Sequence, residues 1–290
     1  MLTYTWYHWL AFFYFYCFFG WIFESSYVSI KMKHFVNRGF LRLPMLPLYG
    51  SGAVMMLWVS LPFQDSLFLT YLSGMAGATV LEYVTGWAME LLFKVRYWDY
   101  SSQKYNLNGY ICLSSSIAWG FLTILMTEVI HQPIARLVTS CPPLLCIFMV
   151  TAVSVVFVYD TIYSVRQALA LGKSLEALTR LRRELESVQV QASLLKLEAR
   201  DRLEETKAGL RLDDFMDLRD SAELHLDALK GKTEQQLADL RSELEAKISL
   251  VRSGHAKSLR SILRGNPTAA SGRFEKALRE LREYLDETYG

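Results

Sequence analysis

Apolar residues form five long continuous runs in the first part of this chain, and farther along they are spaced among charged residues. A run of about 20 mostly apolar residues is long enough to span a bilayer as a helix. The runs lie at about 5–30, 44–62, 66–93, 109–130 and 143–165. Beyond about residue 171, apolar residues recur every three or four positions between charged ones, which predicts a helical hairpin or a coiled coil. We therefore expect an all-α protein, a polytopic membrane domain followed by a charged helical domain.

These patterns divide the chain into three parts. Residues 1–165 are predicted to form the transmembrane domain, and residues 166–264 a cytoplasmic coiled coil or helical hairpin. Because Gly265-Asn266-Pro267 breaks the helical pattern, residues 265–290 are predicted to be a linker and a short amphipathic helix. We expect the fifth span to continue directly into the first charged helix. The coiled coil favours a homo-oligomer of undetermined number.

Charge is distributed very unevenly between the two halves of the chain. Residues 1–165 contain eight Lys or Arg and seven Asp or Glu, whereas residues 166–290 contain 23 and 22. In the first half the basic residues concentrate in the loops that follow the first and third runs. Short loops rich in Lys and Arg remain in the cytoplasm. The sequence therefore predicts an outside N-terminus, five spans and a cytoplasmic C-terminus.

One short motif occurs twice in the membrane half. Gly-Trp-x-x-Glu begins at Gly20 and again at Gly86, and each copy precedes a basic loop with an Asn and a Gly-aromatic pair. We interpret this as two copies of one span-loop-span unit in parallel orientation, plus a fifth helix; transporters with such repeats bind solutes between them. The alternative is coincidence, because Trp is common at membrane interfaces.

Carboxylates within the predicted spans are the main candidates for a functional site. Ionisable residues are costly inside a membrane and usually functional. Glu82 and Glu90 are eight residues apart on one helix face, and the repeat would put Glu24 at the depth of Glu90. We expect a polar cavity that faces the cytoplasm. The residues predicted to line it are Glu24, Glu82, Glu90, Asn37, Arg38, Asp99, Asn106 and Asn108.

Several chemical uses of these carboxylates remain open. They could bind a cation or exchange protons, hold a divalent metal, or act as acid and base toward a lipid headgroup. Alternatively, Glu24 and Glu90 could pair with Arg38 and Arg96 and only fix the loops. No nucleotide-binding, hydrolase or Cys/His metal motif is present. The sequence therefore assigns no catalytic residue, metal or cofactor, and it indicates no nucleic-acid partner.

The motifs of the membrane half also carry a family resemblance. Over about residues 10–165 the chain resembles the bacterial ABC-transporter type IV permease family. The residues that carry it are Gly20-Trp21-x-x-Glu24-Ser25-x-Tyr27, Asn37-Arg38-Gly39-Phe40-Leu41, Pro47-x-Tyr49-Gly50-x-Gly52, Leu81-Glu82-Tyr83-x-Thr85-Gly86 and Trp98-Asp99-Tyr100-Ser101. The resemblance implies a multi-span bacterial inner-membrane protein with a role in transport. Because the chain contains no ATPase, it also implies a separate ATPase subunit as a partner.

Three functions fit these observations. The favoured hypothesis is a transporter or channel subunit that moves a small polar or ionic solute through the carboxylate-lined cavity. The second is a membrane-embedded enzyme that acts on a lipid or its headgroup with the same carboxylates. The third is a membrane-anchored coiled-coil scaffold or sensor. Membrane lipids are expected partners in all three.

Overall fold

The computed structural model of the protein describes residues 4–208, 216–253 and 256–289. The described residues are mostly helical, as the apolar periods predict. The helices are α1 Trp6–Met32, α2 Pro47–Ser60, α3 Leu67–Phe93, α4 Leu113–Leu125, α5 His131–Thr139, α6 Pro143–Ala208, α7 Met216–Ser253, α8 Ala256–Gly265 and α9 Glu275–Tyr289. Two short strands, β1 Asn106–Leu107 and β2 Ile111–Cys112, pair antiparallel between α3 and α4.

Among the described residues, three helical stretches are long and apolar enough to cross a membrane. They are Leu67–Phe93, Leu113–Thr139 and Pro143–Leu194, and Pro47–Phe63 is a shorter apolar helix. These helices make the chain a membrane protein. The first predicted span corresponds to α1, which has 27 residues like α3 but is rich in Trp and Tyr. The count of five spans stays a prediction.

The fourth span ends later than the sequence predicts. We expect a helix over about 109–130 and a loop from His131, but α4 continues through one π-helical turn, Met126–Ile130, into α5. The N–H of His131 bonds to the carbonyl of Met126, five residues back. Pro133 makes a helix end plausible because its ring disrupts the backbone ladder. The π turn re-spaces the backbone immediately before this proline, and the helix continues.

The four helices α1 to α4 pack as sequential antiparallel neighbours. Phe12, Met56 and Leu57 lie at the centre of their shared apolar core. Gly74 allows α3 and α4 to approach closely, because a Cβ atom there would lie 2.1 Å from Thr123 Oγ1. Small residues have this role in membrane helix pairs generally. The opposite face of α4 is exposed and apolar, which is expected for a surface against lipid. Its residues are Leu113, Ile117, Phe121, Leu125 and Val129.

The fifth apolar run and the first charged segment form one helix, as the sequence predicts. Helix α6 has 66 residues and is therefore roughly 100 Å long. Helix α7 packs against it. The sequence pattern predicts a break at Gly209, which lies outside the described residues, and a helix over about 212–264. The structure describes α7 and α8 within that stretch, and residues 254 and 255 between them lie outside the described residues. Whether this hairpin also pairs with a second copy stays a prediction.

A second apolar core joins the C-terminal helices to the membrane bundle. Leu171 and Leu175 of α6, Leu259 of α8 and Leu281 of α9 are fully buried in it. Val95, from the segment that follows α3, is 1% exposed in the same cluster. The C-terminal helices therefore pack directly on a loop of the membrane bundle, which the sequence pattern does not predict.

Candidate functional site

The predicted site residues gather at one end of the membrane bundle. We call this the loop end, and it comprises residues 33–46 between α1 and α2 and residues 94–112 between α3 and α4. Glu24 lies on α1, and Glu82 and Glu90 lie on α3. The other five are in the loops, namely Asn37, Arg38, Asp99, Asn106 and Asn108.

Glu24 is held by one arginine and one tyrosine. Its carboxylate accepts hydrogen bonds from Arg38 Nε at 3.3 Å and from the Tyr49 hydroxyl at 2.8 Å. Tyr49 also packs over Gly20, where a Cβ atom would lie 2.4 Å from the Cβ of Tyr49. Residues four apart share a helix face. The glycine of the motif therefore makes room for the ring whose hydroxyl binds the glutamate of the same motif.

Glu90 has the same kinds of partner. It accepts from Arg96 Nε at 2.6 Å and from the Tyr110 hydroxyl at 2.6 Å. A Cβ atom at Gly86 would lie 3.2 Å from the Tyr110 ring. The glycine and the glutamate thus have matching contacts in the two copies of Gly-Trp-x-x-Glu. Duplication of the whole unit stays a prediction.

The two tryptophans of the motif are not equivalent. Trp21 donates from Nε1 to Asn37 Oδ1 at 2.6 Å, whereas Trp87 is 49% exposed. The arginines also enter at different distances along the chain, 14 residues after Glu24 and six residues after Glu90. The similarity between the two groups is therefore one of contacts rather than of sequence register.

Asp99 extends the Glu90 group. Its Oδ1 lies 3.5 Å from Arg96 Nη1 and accepts from the backbone N–H of Ser101 at 2.9 Å. Burial alone would raise the pKa of Asp99, but the hydrogen bonds from Ser101 and the charge of Arg96 hold it below its ordinary value. Asp99 is thus an ionised partner of the arginine.

The three asparagines make hydrogen bonds that shape the loops. Asn37 donates to the carbonyl of Arg42 at 3.0 Å, and Asn106 donates to that of Gln103 at 2.8 Å. Asn108 has a left-handed backbone with φ of 54° and donates to the Tyr83 hydroxyl at 3.0 Å. These contacts position the loops around the glutamates.

Glu82 differs from the other two glutamates in its partners. It is 6% exposed and accepts from Trp119 Nε1 at 2.8 Å and from the Tyr100 hydroxyl at 3.1 Å. Ser115 Oγ lies 3.5 Å from it and donates to the carbonyl of Cys112 at 2.9 Å. No Lys, Arg or His among residues 4–208, 216–253 and 256–289 forms an ion pair with it. A buried carboxylate without a cation is costly and is a functional candidate.

Tyr100 connects Glu82 with Glu24. Burial raises the pKa of Tyr100, and the charge of Glu82, its hydrogen bond and the more distant charge of Glu24 raise it further. The negative charges of Glu82 and Glu24 therefore both act on the hydroxyl of Tyr100. The Glu90 group is close as well, since Arg38 Nη2 lies 3.4 Å from the carbonyl of Tyr97, the residue after Arg96. The structure therefore brings the three glutamates into one polar region.

A segment that the sequence predicts only as a linker covers this region. We call residues 265–271 the strap. Arg38 Nη1 donates to Asn266 Oδ1 at 3.1 Å, and Arg38 Nη2 to Thr268 Oγ1 at 3.2 Å. The backbones of Arg96 and Ala270 exchange two hydrogen bonds, of 2.7 and 2.9 Å. Both arginines that bind the motif glutamates are therefore also bonded to the C-terminal region.

Asp160 has different partners from those that the sequence favours. Asp160 lies at the end of the fifth apolar run, and the nearby Arg166 in the sequence predicts an ion pair between the two. In the structure, Asp160 Oδ2 instead accepts from the backbone N–H groups of Arg42 and Leu43, at 2.9 and 3.0 Å. It fixes the first loop to α6. In the part of the chain that the structure describes, no group of three or more His, Cys, Asp or Glu is placed to hold a metal ion.

His131 is a buried polar residue to which the sequence analysis assigns no role. Its Nδ1 is 2.9 Å from the Tyr16 hydroxyl, and its Nε2 is 3.1 Å from the Tyr4 hydroxyl. It is the last of a series of half-buried or buried positions on one helix, spaced four residues apart. The series is Ser115, Trp119, Thr123, Thr127 and His131. This period is visible in the sequence, but an average of hydropathy over the span conceals it.

Comparison with known proteins gives one match. The model of a family described as "Putative ABC-transporter type IV" matches residues 11–165, which is more than half of the 290-residue chain. No curated protein and no solved structure matches the chain. The matched residues include Glu24, Glu82 and Glu90 and exclude the strap. The resemblance drawn from the motifs is thereby confirmed, and the chain belongs to the ABC-transporter type IV family.

Proposed function

We propose that the chain is the membrane-spanning subunit of a transporter, in which Glu82 receives a small cationic solute or a proton. The observation that carries this proposal is that Glu82 is buried against uncharged donors, whereas Glu24 and Glu90 are each neutralised by an arginine. Membership of a transporter family and three apolar helices support the same class of function.

The contacts of Glu82 suit exchange of a positive charge. A carboxylate offers about four acceptor sites, and the two neutral donors Trp119 and Tyr100 leave room for a further proton or cation. The hydroxyls of Tyr100 and Ser115 can reverse their role and accept when the carboxyl is protonated. Glu24 and Glu90 have no comparable freedom, because each already accepts from a guanidinium group. We infer that they hold the loop end in shape around Glu82.

The test compares matched glutamates in the full-length protein. Proteoliposomes on a solid-supported membrane are exposed to jumps in pH, potassium or ammonium, and the charge movement is recorded. We expect Glu82→Gln to abolish the charge movement and Glu128→Gln to leave it unchanged, because Glu128 lies exposed on the π turn. Charge movement that survives in Glu82→Gln would overturn the proposal.

A second candidate function is a membrane-anchored sensor, and the strap favours it. The strap binds Arg38 and Arg96 on one side, and Arg282 of α9 donates to the carbonyl of Ala269 at 2.8 Å on the other. A change in the C-terminal helices could therefore reach the loop end. In contrast, a lipid-directed enzyme that used the same carboxylates would have only Glu82 outside an ion pair, because Glu24 and Glu90 are both bound by arginines.

Hydrogen exchange tests the sensor. Asn266→Ala removes the acceptor of Arg38 and the bond to the carbonyl of Gly39. If the strap couples the two regions, amide exchange increases both in residues 94–100 and in residues 256–263. Thr288→Val, which removes a side-chain bond at the far end of α9, is the control and leaves both unchanged. An increase confined to the strap would contradict the coupling.

A further inference from the structure

The buried face of α4 and α5 links Glu82 to the opposite end of the bundle. Ser115 and Trp119 contact Glu82, and Thr123, Thr127 and His131 follow along the same helix at four-residue intervals. Relying on the function proposed above, we propose that this polar track conducts protons between His131 and Glu82. The solute that reaches Glu82 through the bundle is then the proton itself.

A π turn realigns the end of the track with the buried face. In an α-helix, a step of four residues advances about 40° around the axis, so a series of such steps drifts away from its starting face. The π turn Met126–Ile130 lies within the last step, between Thr127 and His131. A π turn contains more residues per turn, so it rotates the chain less per residue and returns His131 toward the buried face. Such turns are frequent at functional sites.

The burial pattern agrees with a continuous track. Thr123 is fully buried, and Thr127 and His131 are 8% and 7% exposed. The residues two positions away, from Leu113 to Val129, form the exposed apolar face. A helix that only needed to pack against its neighbours could place apolar residues at these buried positions. Each of these groups is hydrogen-bonded where it lies, so a row of hydroxyl and imidazole groups is tolerated along this buried face.

The groups at both ends can gain or lose a proton without losing their hydrogen bonds. His131 faces the hydroxyls of Tyr4 and Tyr16, which are the titratable groups that contact it. These hydroxyls can donate to a neutral imidazole or accept from a charged one. Glu82 faces the hydroxyl of Tyr100, with Glu24 beyond it. Each end is thus a proton-binding group with adaptable partners.

The packing along the track excludes a larger solute. A Cβ atom at Gly74 would lie within 2.4 Å of three atoms of the Thr123 side chain, so α3 and α4 are in contact there. A hydrated ion cannot pass such a contact without separating the helices. A proton needs only successive hydroxyls and water molecules. Thr123 and Thr127 donate to the carbonyls of Trp119 and Thr123 and still have lone pairs available to accept.

The transfer is a sequence of simple proton exchanges. The imidazole of His131 takes up a proton from water at the far end of the bundle. The proton passes through the hydroxyls of Thr127 and Thr123, which lie about 6 Å apart along the helix. Water molecules that enter transiently must bridge the gaps and carry the proton past Trp119, whose indole can only donate. The carboxylate of Glu82 accepts it and releases it to water at the loop end. No bond other than O–H and N–H bonds forms or breaks.

A pH-jump experiment on the full-length protein tests the track. Vesicles that contain the dye pyranine are acidified outside, with potassium and valinomycin holding the membrane potential at zero. We expect the wild-type protein to acidify the interior faster than protein-free vesicles, and Thr127→Val and His131→Asn to reduce the rate to that of protein-free vesicles. Thr127→Ser restores the hydroxyl and should restore the rate, which separates loss of the track from misfolding.

Thr139→Val is the matched control. Thr139 makes the same hydroxyl bond to the carbonyl four residues back, Ala135, at 2.8 Å, but it lies on the exposed side of α5. Its variant should conduct like the wild type. If Thr127→Val does not reconstitute, the pair Thr123→Val and Thr123→Ser replaces it.

The outcomes separate the track from the transporter. A wild-type proton rate in Thr127→Val or His131→Asn overturns the track. If charge movement then still depends on Glu82, the transporter proposal stands with another path. If the wild-type protein conducts no faster than protein-free vesicles but Glu82-dependent potassium or ammonium currents remain, the proton is not the solute. Loss of every dependence on Glu82 overturns both proposals.

Discussion

Glu24 and Glu82 are both held by hydrogen-bond donors from side chains, but only Glu24 has a positively charged partner. Each accepts from a tyrosine hydroxyl, at 2.8 Å for Glu24 and 3.1 Å for Glu82. Glu24 also accepts from Arg38, whose side chain is 12% exposed, whereas Glu82 accepts from Trp119 and has no cation among the described residues. The difference between an ion pair and an indole therefore separates the carboxylate that we propose fixes the loops from the one that we propose binds a solute.

This comparison explains why the sequence motif and the candidate site do not coincide. The repeated Gly-Trp-x-x-Glu builds the two neutralised groups, in which the glycine admits a tyrosine that binds the glutamate. Glu82 lies outside the motif, two helical turns before Glu90. The most conspicuous pattern thus marks the architecture of the loop end, and the residue proposed to act lies beneath it.

Removing Arg38 should have the largest effect on stability. It would leave Glu24, like Glu82, without a positively charged partner. Arg38→Ala deletes the ion pair to Glu24 and the bonds to the strap. Breaking a largely buried pair by removing one partner costs about 3 kcal/mol. We expect this loss in the free energy of unfolding, measured by denaturant unfolding in detergent micelles.

Arg136→Ala is the control for this experiment. Arg136 is exposed on α5, and no ion pair involving it occurs among the described residues. Its loss should change the free energy of unfolding very little. Equal effects of the two substitutions would mean that the Arg38–Glu24 pair contributes nothing to the loop end.

A smaller effect is expected when Glu82 loses the N–H donor of Trp119, which has the place at Glu82 that Arg38 has at Glu24. Trp119→Phe keeps the aromatic volume and removes the N–H that donates to Glu82 at 2.8 Å. Loss of a hydrogen bond to a buried charged group costs about 2 kcal/mol. We expect this decrease in the same unfolding measurement, together with altered Glu82-dependent charge movement. Trp58→Phe, at a position that is 66% exposed, is the control and should change neither quantity.

The sequence could predict the ion pairs of the loop end but not the surroundings of Glu82. Arg38 and Arg96 follow their glutamates within one loop, and opposite charges that are near in sequence tend to pair. The contacts of Trp119 with Glu82, and of Asn266 with Arg38, join residues 37 and 228 positions apart. Such contacts depend on how helices cross, which apolar periodicity does not determine. The strap was therefore predicted only as a linker.

The sequence also predicts helix boundaries well where local apolar composition decides them, and poorly where backbone geometry does. Continuous apolar runs predict α3 and the start of α6 well, because length and composition decide where a chain can span. The predicted end of the fourth span is wrong, because the π turn that lets the helix continue past Pro133 is a feature of backbone geometry that apolar composition does not reveal. The four-residue period from Ser115 to His131 was available in the sequence, but its meaning depends on which face is buried.

The smallest predicted effect concerns pH and distinguishes the arginine-bound carboxylates from Glu82 once more. Asp99 has a pKa below its ordinary value in the folded protein, because the bonds from Ser101 and the charge of Arg96 outweigh its burial. A lowered folded pKa means that the unfolded chain binds the proton more readily. The stability contributed by Asp99 is therefore fully present above its ordinary pKa of about 4 and is lost as the pH falls below that value through the lowered folded pKa.

Thermal unfolding between pH 6 and pH 3 should show a steeper loss of stability with acid for the wild type than for Asp99→Asn, which cannot titrate. Asp65→Asn, in the short connection between α2 and α3, should retain the wild-type slope. Identical slopes for the wild type and Asp99→Asn would mean that Arg96 is bound by Glu90 alone, and that the Glu90 group is no larger than the Glu24 group.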